Sequence, residues 1–141
     1  MRDLLIIAVV LLAGCAGRSP QLLTPDPPTA IPATTVAPPL AANDNVRARE
    51  VRSAASSSIS LVQIRDREQP HVHTRYDLTV MLVHGSGTLW LNGAPLMMHE
   101  SDIAFIPKGT PHYFVNAASE PAAALVVFAP PFTGPDQQPV P

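Results

Sequence analysis

The chain has 141 residues, a formal charge of -2, and 46% hydrophobic against only 14% charged residues, which suits one small domain and excludes two. With no Lys/Arg block it offers no phosphate-tracking surface, so nucleic acid is not an expected partner. Of 17 prolines, seven fall from Pro20 to Pro39 and five from Pro130 to Pro141, which confines the foldable part to about Val46 to Pro131. The single cysteine, Cys15, permits no intrachain disulfide.

After Met1-Arg2-Asp3 comes an uninterrupted apolar run from Leu4 to Leu12, then Ala13, Gly14 and Cys15. That is the layout of an export signal, and residues 1–14 are read as a signal peptide. The run is far shorter than the roughly 20 residues that a membrane-crossing helix needs. Leu12-Ala13-Gly14-Cys15 resembles the lipobox of bacterial lipoproteins. The resemblance implies lipidation of Cys15, with several acyl chains holding the protein at about 0.8 kcal/mol per buried methylene. The implied location is the bacterial cell envelope, lipid-anchored, with Ala16 after the cysteine leaning towards the outer membrane. The alternative is an ordinary secretory signal in which Cys15 is incidental.

From Cys15 to Asn45 the chain is Pro, Thr and Ala with little charge and no periodic apolar face, the composition of an extended, disordered tether. Residues 46–132 change to short apolar runs bounded by Gly, Pro, Asn or Asp, with no 3.6-residue stripe. Seven strands are expected, at Ile59–Arg65, Asp77–His84, Thr88–Leu91, Leu96–His99, Asp102–Ile106, His112–Asn116 and Ala124–Phe128. Asn92-Gly93 signals a type I′ hairpin, because both central residues of that turn need positive φ. The pattern is all-β, a closed barrel or a double-sheet jelly roll. Residues 133–141 are too polar and proline-rich to suggest packing and are read as a disordered tail.

His71-Val72-His73 places two imidazoles at i and i+2, which share one face of an extended chain. His112 opens another expected strand after the turn Pro107-Lys108-Gly109-Thr110-Pro111 and can meet the pair across a barrel. Asp77 is open to two readings: a fourth ligand, or a residue that caps a turn or pairs with Arg75. Three imidazoles and a carboxylate suit a divalent Fe, Mn, Ni, Cu or Zn ion with positions left for water or substrate. Trp90, Met97, Met98, Phe105, Tyr113 and Phe114 are expected in the core or barrel wall. Gly85, Gly87 and Gly109 read as turn glycines with positive φ. His84 and His99 fall at hairpin ends without a role. Lys108 is a solvated turn residue or a contact for an anionic ligand, and Asn116 a strand-end structural residue.

From Gln69 to Phe128 these motifs resemble the cupin family, whose patterns are G(X)5HXH(X)3-4E(X)6G and G(X)5PXG(X)2H(X)3N. Pro107, Gly109, His112 and Asn116 match the second pattern in spacing, with Ser101 where its leading glycine would be. The first pattern retains His71, His73 and Gly85. Its acidic position falls on Asp77 with a three-residue spacer and on Leu78 with four. The resemblance implies a double-stranded β-helix with the histidines and the acid around a metal. It leaves three functional readings: a metal centre that binds or transforms a small molecule, a non-enzymatic ligand- or metal-binding module, and a barrel kept only as a scaffold. Pairing into a homodimer is expected to cover apolar surface that so small a domain cannot bury alone.

Overall fold

The structure, a computed structural model, describes residues 20–25, 28–32 and 39–141. Cys15 and the expected signal peptide lie outside the described residues. Within the expected tether, β1 (Gln21–Pro25) and β2 (Pro28–Pro32) pair antiparallel, with Gln21 opposite Pro32. Their prolines fall at strand ends, where a two-stranded ribbon tolerates a missing donor.

The remaining strands are β3 (Val46–Ser53), β4 (Ser58–Ile64), β5 (His71–His73), β6 (Asp77–His84), β7 (Gly87–Leu91), β8 (Ala94–Met98), β9 (Ile103–Ile106), β10 (His112–Asn116), β11 (Ala122–Ala129) and β12 (Gln137–Pro139). They build two five-stranded antiparallel sheets, ordered β12-β5-β10-β7-β8 and β3-β4-β11-β6-β9. The described residues contain no helix. This is the all-β, double-sheet architecture expected from the strand pattern.

Alternation along each strand decides what faces the interior. On β6, Leu78, Val80 and Leu82 line the cavity between the sheets, as do Ala124, Val126 and Phe128 on β11. Leu89, Met98, Ile106 and Phe114 complete the main cluster from the other strands. Each fully buried side chain of this size contributes about 1.5–3 kcal/mol. A smaller cluster of Leu61, Val83 and Ala123 has the opposite parity on β4, β6 and β11. Parity also corrects the expected core list. Met97 and Phe105 are 62% and 61% exposed because Met98 and Ile106 take the inward places on their strands. Trp90 and Tyr113 are half-buried cross-strand partners, stacked with ring centroids 5.8 Å apart, on the face away from Leu89 and Phe114.

The turns follow the local chemistry. Asn92 and Gly93 have φ of 50° and 79°, as the type I′ reading requires. Ser101 has φ 76°, so the position where the family pattern carries glycine is left-handed here too, occupied by a residue that bears a Cβ. Gly87 departs from its expectation: it lies within β7 without positive φ, and its constraint is space. A Cβ there would fall 2.3 Å from both Phe114 Cζ and Val115 O.

The C-terminal segment also differs from its expected disorder. β12 pairs along β5, with Gln137 opposite His73 and Pro139 opposite His71, and Val140 N–H donates to Pro70 O at 3.1 Å. All three β12 residues are exposed, so the strand is held by backbone bonds and leaves no apolar signature in the sequence.

Candidate metal centre

The short strand β5 carries His71 and His73 inward with Val72 between them. β10 brings the third ring by register, His112 lying directly opposite His71. The turn before His112 is pinned from both sides. Gly109, with φ 78°, donates its N–H to His73 O at 2.7 Å, Lys108 N–H donates to Asp77 Oδ1 at 2.9 Å, and Thr110 N–H donates to Pro107 O at 3.1 Å. His71, His73 and His112 are all buried. Their ring centroids are 4.4 Å (His71–His112), 5.2 Å (His71–His73) and 5.5 Å (His73–His112) apart. One nitrogen from each ring lies within 4.8 Å of the others.

Each ring also has a partner that fixes its tautomer. His71 Nδ1–H donates to Gln69 O at 2.7 Å, His112 Nδ1–H to Thr110 O at 2.8 Å, and His73 Nδ1–H to Asp136 Oδ1 at 2.6 Å. A carbonyl or ionised carboxylate only accepts, so the proton is on Nδ1 and the lone pair on Nε2. Burial lowers the His112 pKa to about 4, against the opposing pull of the Thr110 carbonyl, and burial lowers His73 despite its bond to Asp136. Those two rings are therefore neutral at pH 7, the form that ligates a metal. Burial alone would raise the Asp136 carboxyl, but the hydrogen bonds from His73 and from the Arg75 and Thr74 amides outweigh it, and its pKa lies below the ordinary range. Three Nε2 donors brought together in this way fit a divalent transition metal.

Asp77 is not brought to this group. Its carboxylate holds the Lys108 amide, the turn-capping alternative, while the inward place beside it belongs to Leu78. The four-residue spacing of the motif thus lands on a side chain that cannot ligate. Lys108 is exposed, and His84 and His99 stand apart from the cluster, beside Glu100 at 3.2 Å and Asp102 at 3.7 Å. Asn116 does the structural work expected of it, with Nδ2 donating to the Arg65, Ala118 and Glu120 carbonyls.

Three polar residues of the site were missed in the sequence. Asp136 and Gln137 stand in the segment read as a tail, and Gln137 Nε2 lies 3.2 Å from His71 Nε2. Glu68 lines the cavity and accepts the Phe114 N–H at Oε2, 2.9 Å away. Burial pushes its carboxyl above the ordinary value, although nearby His71 and the Phe114 amide act the other way. The signal for Glu68 was its place three residues before His71; for the other two there was none beyond the polar types themselves.

The histidines open onto a cavity of about 270 Å³ whose wall is mostly aliphatic and aromatic. Ser60, Glu68, Gln137 and the three rings are its polar groups. Phe128 and Phe132, 5.1 Å apart between ring centroids, and Tyr76, 5.6 Å from Phe128, form an aromatic cluster beside His73.

Residues 59–128 match the cupin domain family. An uncharacterized protein of Aquifex aeolicus is 42% identical over 76 residues, covering 54% of this chain, and the match spans only 62% of that relative's length. Among solved structures, a Klebsiella pneumoniae protein with a double-stranded β-helix domain aligns over 77% of this chain and 94% of its own, at 20% identity and a TM-score of 0.65. The polyketide cyclase RemF of Streptomyces resistomycificus aligns over 77% and 82%, at 21% identity and TM-score 0.61. A single-residue variant of Streptomyces PAC13, solved with uridine, aligns over 69% and 79%, at 21% identity and TM-score 0.59. At such identities these structures speak for the fold alone. The barrel is a cupin-superfamily domain with a three-histidine group that can hold a metal ion.

Proposed function

We propose that this chain is a lipid-anchored protein of the bacterial envelope whose barrel binds one divalent transition metal through His71, His73 and His112, and uses it to bind or transform a small, largely apolar molecule. The observation that carries the reading is the commitment of all three Nδ1 atoms to acceptors, which turns three Nε2 lone pairs towards one region. A bound ion there supplies a Lewis acid for a ligand oxygen. The chain supplies the rest. The imidazoles are oriented before any ligand arrives, so little ordering entropy is lost on binding. The aliphatic wall excludes water and selects an apolar body. Glu68, its carboxyl held above the ordinary pKa by burial, adds an ionisable group to the same cavity.

The metal reading is tested by elemental analysis of the full chain purified without an affinity-column metal. The reading expects about one divalent ion per chain, and a metal-free protein that takes none up on dialysis overturns it. The anchor rests on Leu12-Ala13-Gly14-Cys15. Labelled fatty acid fed to the producing bacterium should enter the full chain and should not enter Cys15→Ala; equal labelling of both removes the anchor.

A further inference from the structure

We infer that Gln137, carried by the C-terminal strand, is the fourth protein ligand of the metal centre, coordinating through its side-chain oxygen; this rests on the three-histidine reading above. The inward position beside Asp77 holds Leu78, so neither residue at the acidic position of the motif supplies a ligand. Register supplies one from another strand. Residues directly opposite in an antiparallel pair project to the same face, and Gln137 is opposite His73. Its amide reaches His71 Nε2 at 3.2 Å. Two ligand atoms on one tetrahedral ion at about 2.1 Å are about 3.4 Å apart, so the amide already stands at ligand-to-ligand distance from the first imidazole.

The backbone around Gln137 is fixed. Asp136 receives His73 Nδ1–H on one oxygen and Arg75 N–H on the other at 2.9 Å, and Arg75 Nη2 donates to Gly134 O at 2.9 Å and Pro135 O at 3.3 Å. Val140 N–H closes the far side on Pro70 O. The chemistry then gives the amide two orientations. With the His71 Nε2 lone pair free, the amide NH₂ donates to it, as the structure shows. Once that lone pair is given to a cation, an N–H aimed at it loses its acceptor and meets positive charge. Turning the amide about its last bond presents the oxygen instead, at no cost to the backbone. The carbonyl oxygen is a neutral donor, so the centre becomes N₃O with its net charge unchanged by the protein.

Zn²⁺ affinity of the full chain, measured by competition with a chelator, tests this alongside the ¹³Cδ resonance of Gln137. The inference expects Gln137→Leu to lose about tenfold or more in affinity, Gln137→Glu to bind at least as tightly as the unsubstituted chain, and the ¹³Cδ of the unsubstituted chain to shift on adding one equivalent. Unchanged affinity in Gln137→Leu with an unmoved ¹³Cδ, while His112→Ala still abolishes binding, overturns the assignment of Gln137 and leaves the histidine site standing. No Zn²⁺ uptake by the unsubstituted chain overturns the histidine site and this inference with it.

Discussion

Asp136 and His73 share a 2.6 Å hydrogen bond in which the carboxylate is 2% and the imidazole 6% exposed, although 63 residues separate them in the sequence. The carboxylate does not form an ion pair here, since burial keeps His73 neutral. It sets the ring's tautomer and rotation and raises the basicity of the opposite nitrogen.

Removing that carboxylate should therefore act on metal affinity while sparing the core. Asp136→Asn keeps the volume but places a weaker acceptor, or a competing donor, on Nδ1. Affinity for Zn²⁺ should fall by about 10- to 100-fold, read by chelator competition. Affinity equal to that of the unsubstituted chain would show that the ring is held by packing alone.

A chain ending at Phe132 loses Asp136, Gln137 and the β12 ladder together. It also strips the buried Tyr76 hydroxyl of Thr133 and Gly134, its hydrogen-bond partners in the structure. The β-sheet circular dichroism should persist, because the main apolar cluster lies before that point. The melting temperature should drop, and metal affinity should fall by at least about tenfold. An unchanged affinity would return the tail to the role that its composition suggested.

Gly87→Ala should destabilise the barrel. The new methyl meets Phe114 Cζ and Val115 O at 2.3 Å, and a backbone carbonyl in a paired strand cannot withdraw as a side chain can. Overpacking of this kind costs about 1–3 kcal/mol. Urea unfolding measures it, and a midpoint equal to the unsubstituted chain's would mean that β7 and β10 are free to separate.

The metal-free protein should lose stability on mild acidification. His112 has a folded-state pKa of about 4 against an ordinary 6.5, lowered chiefly by burial. Between those values the unfolded chain binds a proton that the folded chain refuses. The contribution of this ring is thus complete above about pH 6.5 and declines as pH falls towards 4, by up to about 3 kcal/mol. Urea unfolding in the presence of chelator at pH 7.5 and pH 5 should show the decline, and His112→Gln should reduce it. The same slope in both proteins would assign it to other groups.

What could be read from the sequence was what periodicity and turn chemistry write down. His71 and His73 share a face because a strand repeats every two residues, and Pro107, Gly109 and His112 mark a turn that delivers a ring to a strand start. The strand from Asp77 to His84 was legible, but the sequence left open whether Asp77 or Leu78 faces the histidines; that depended on the parity of β6, which puts Leu78 inward, and on the Lys108 amide, which no sequence pattern reveals. β12 stayed hidden for a physical reason. An edge strand with three exposed residues is held by main-chain bonds, which carry no residue preference, so Asp136 and Gln137 read as ordinary tail polar groups. Met97 and Phe105 misled in the opposite sense, apolar residues on edge strands whose inward places belong to their neighbours.

Calorimetric titration of Zn²⁺ into the full chain and into its His71→Ala and His112→Ala variants bears most directly on the centre. One ion per chain should bind to the unsubstituted protein, and each variant, still folded by circular dichroism, should lose that binding. Zero uptake by the unsubstituted chain, or variants that bind as tightly as it does, would mean that the three rings do not form a metal site.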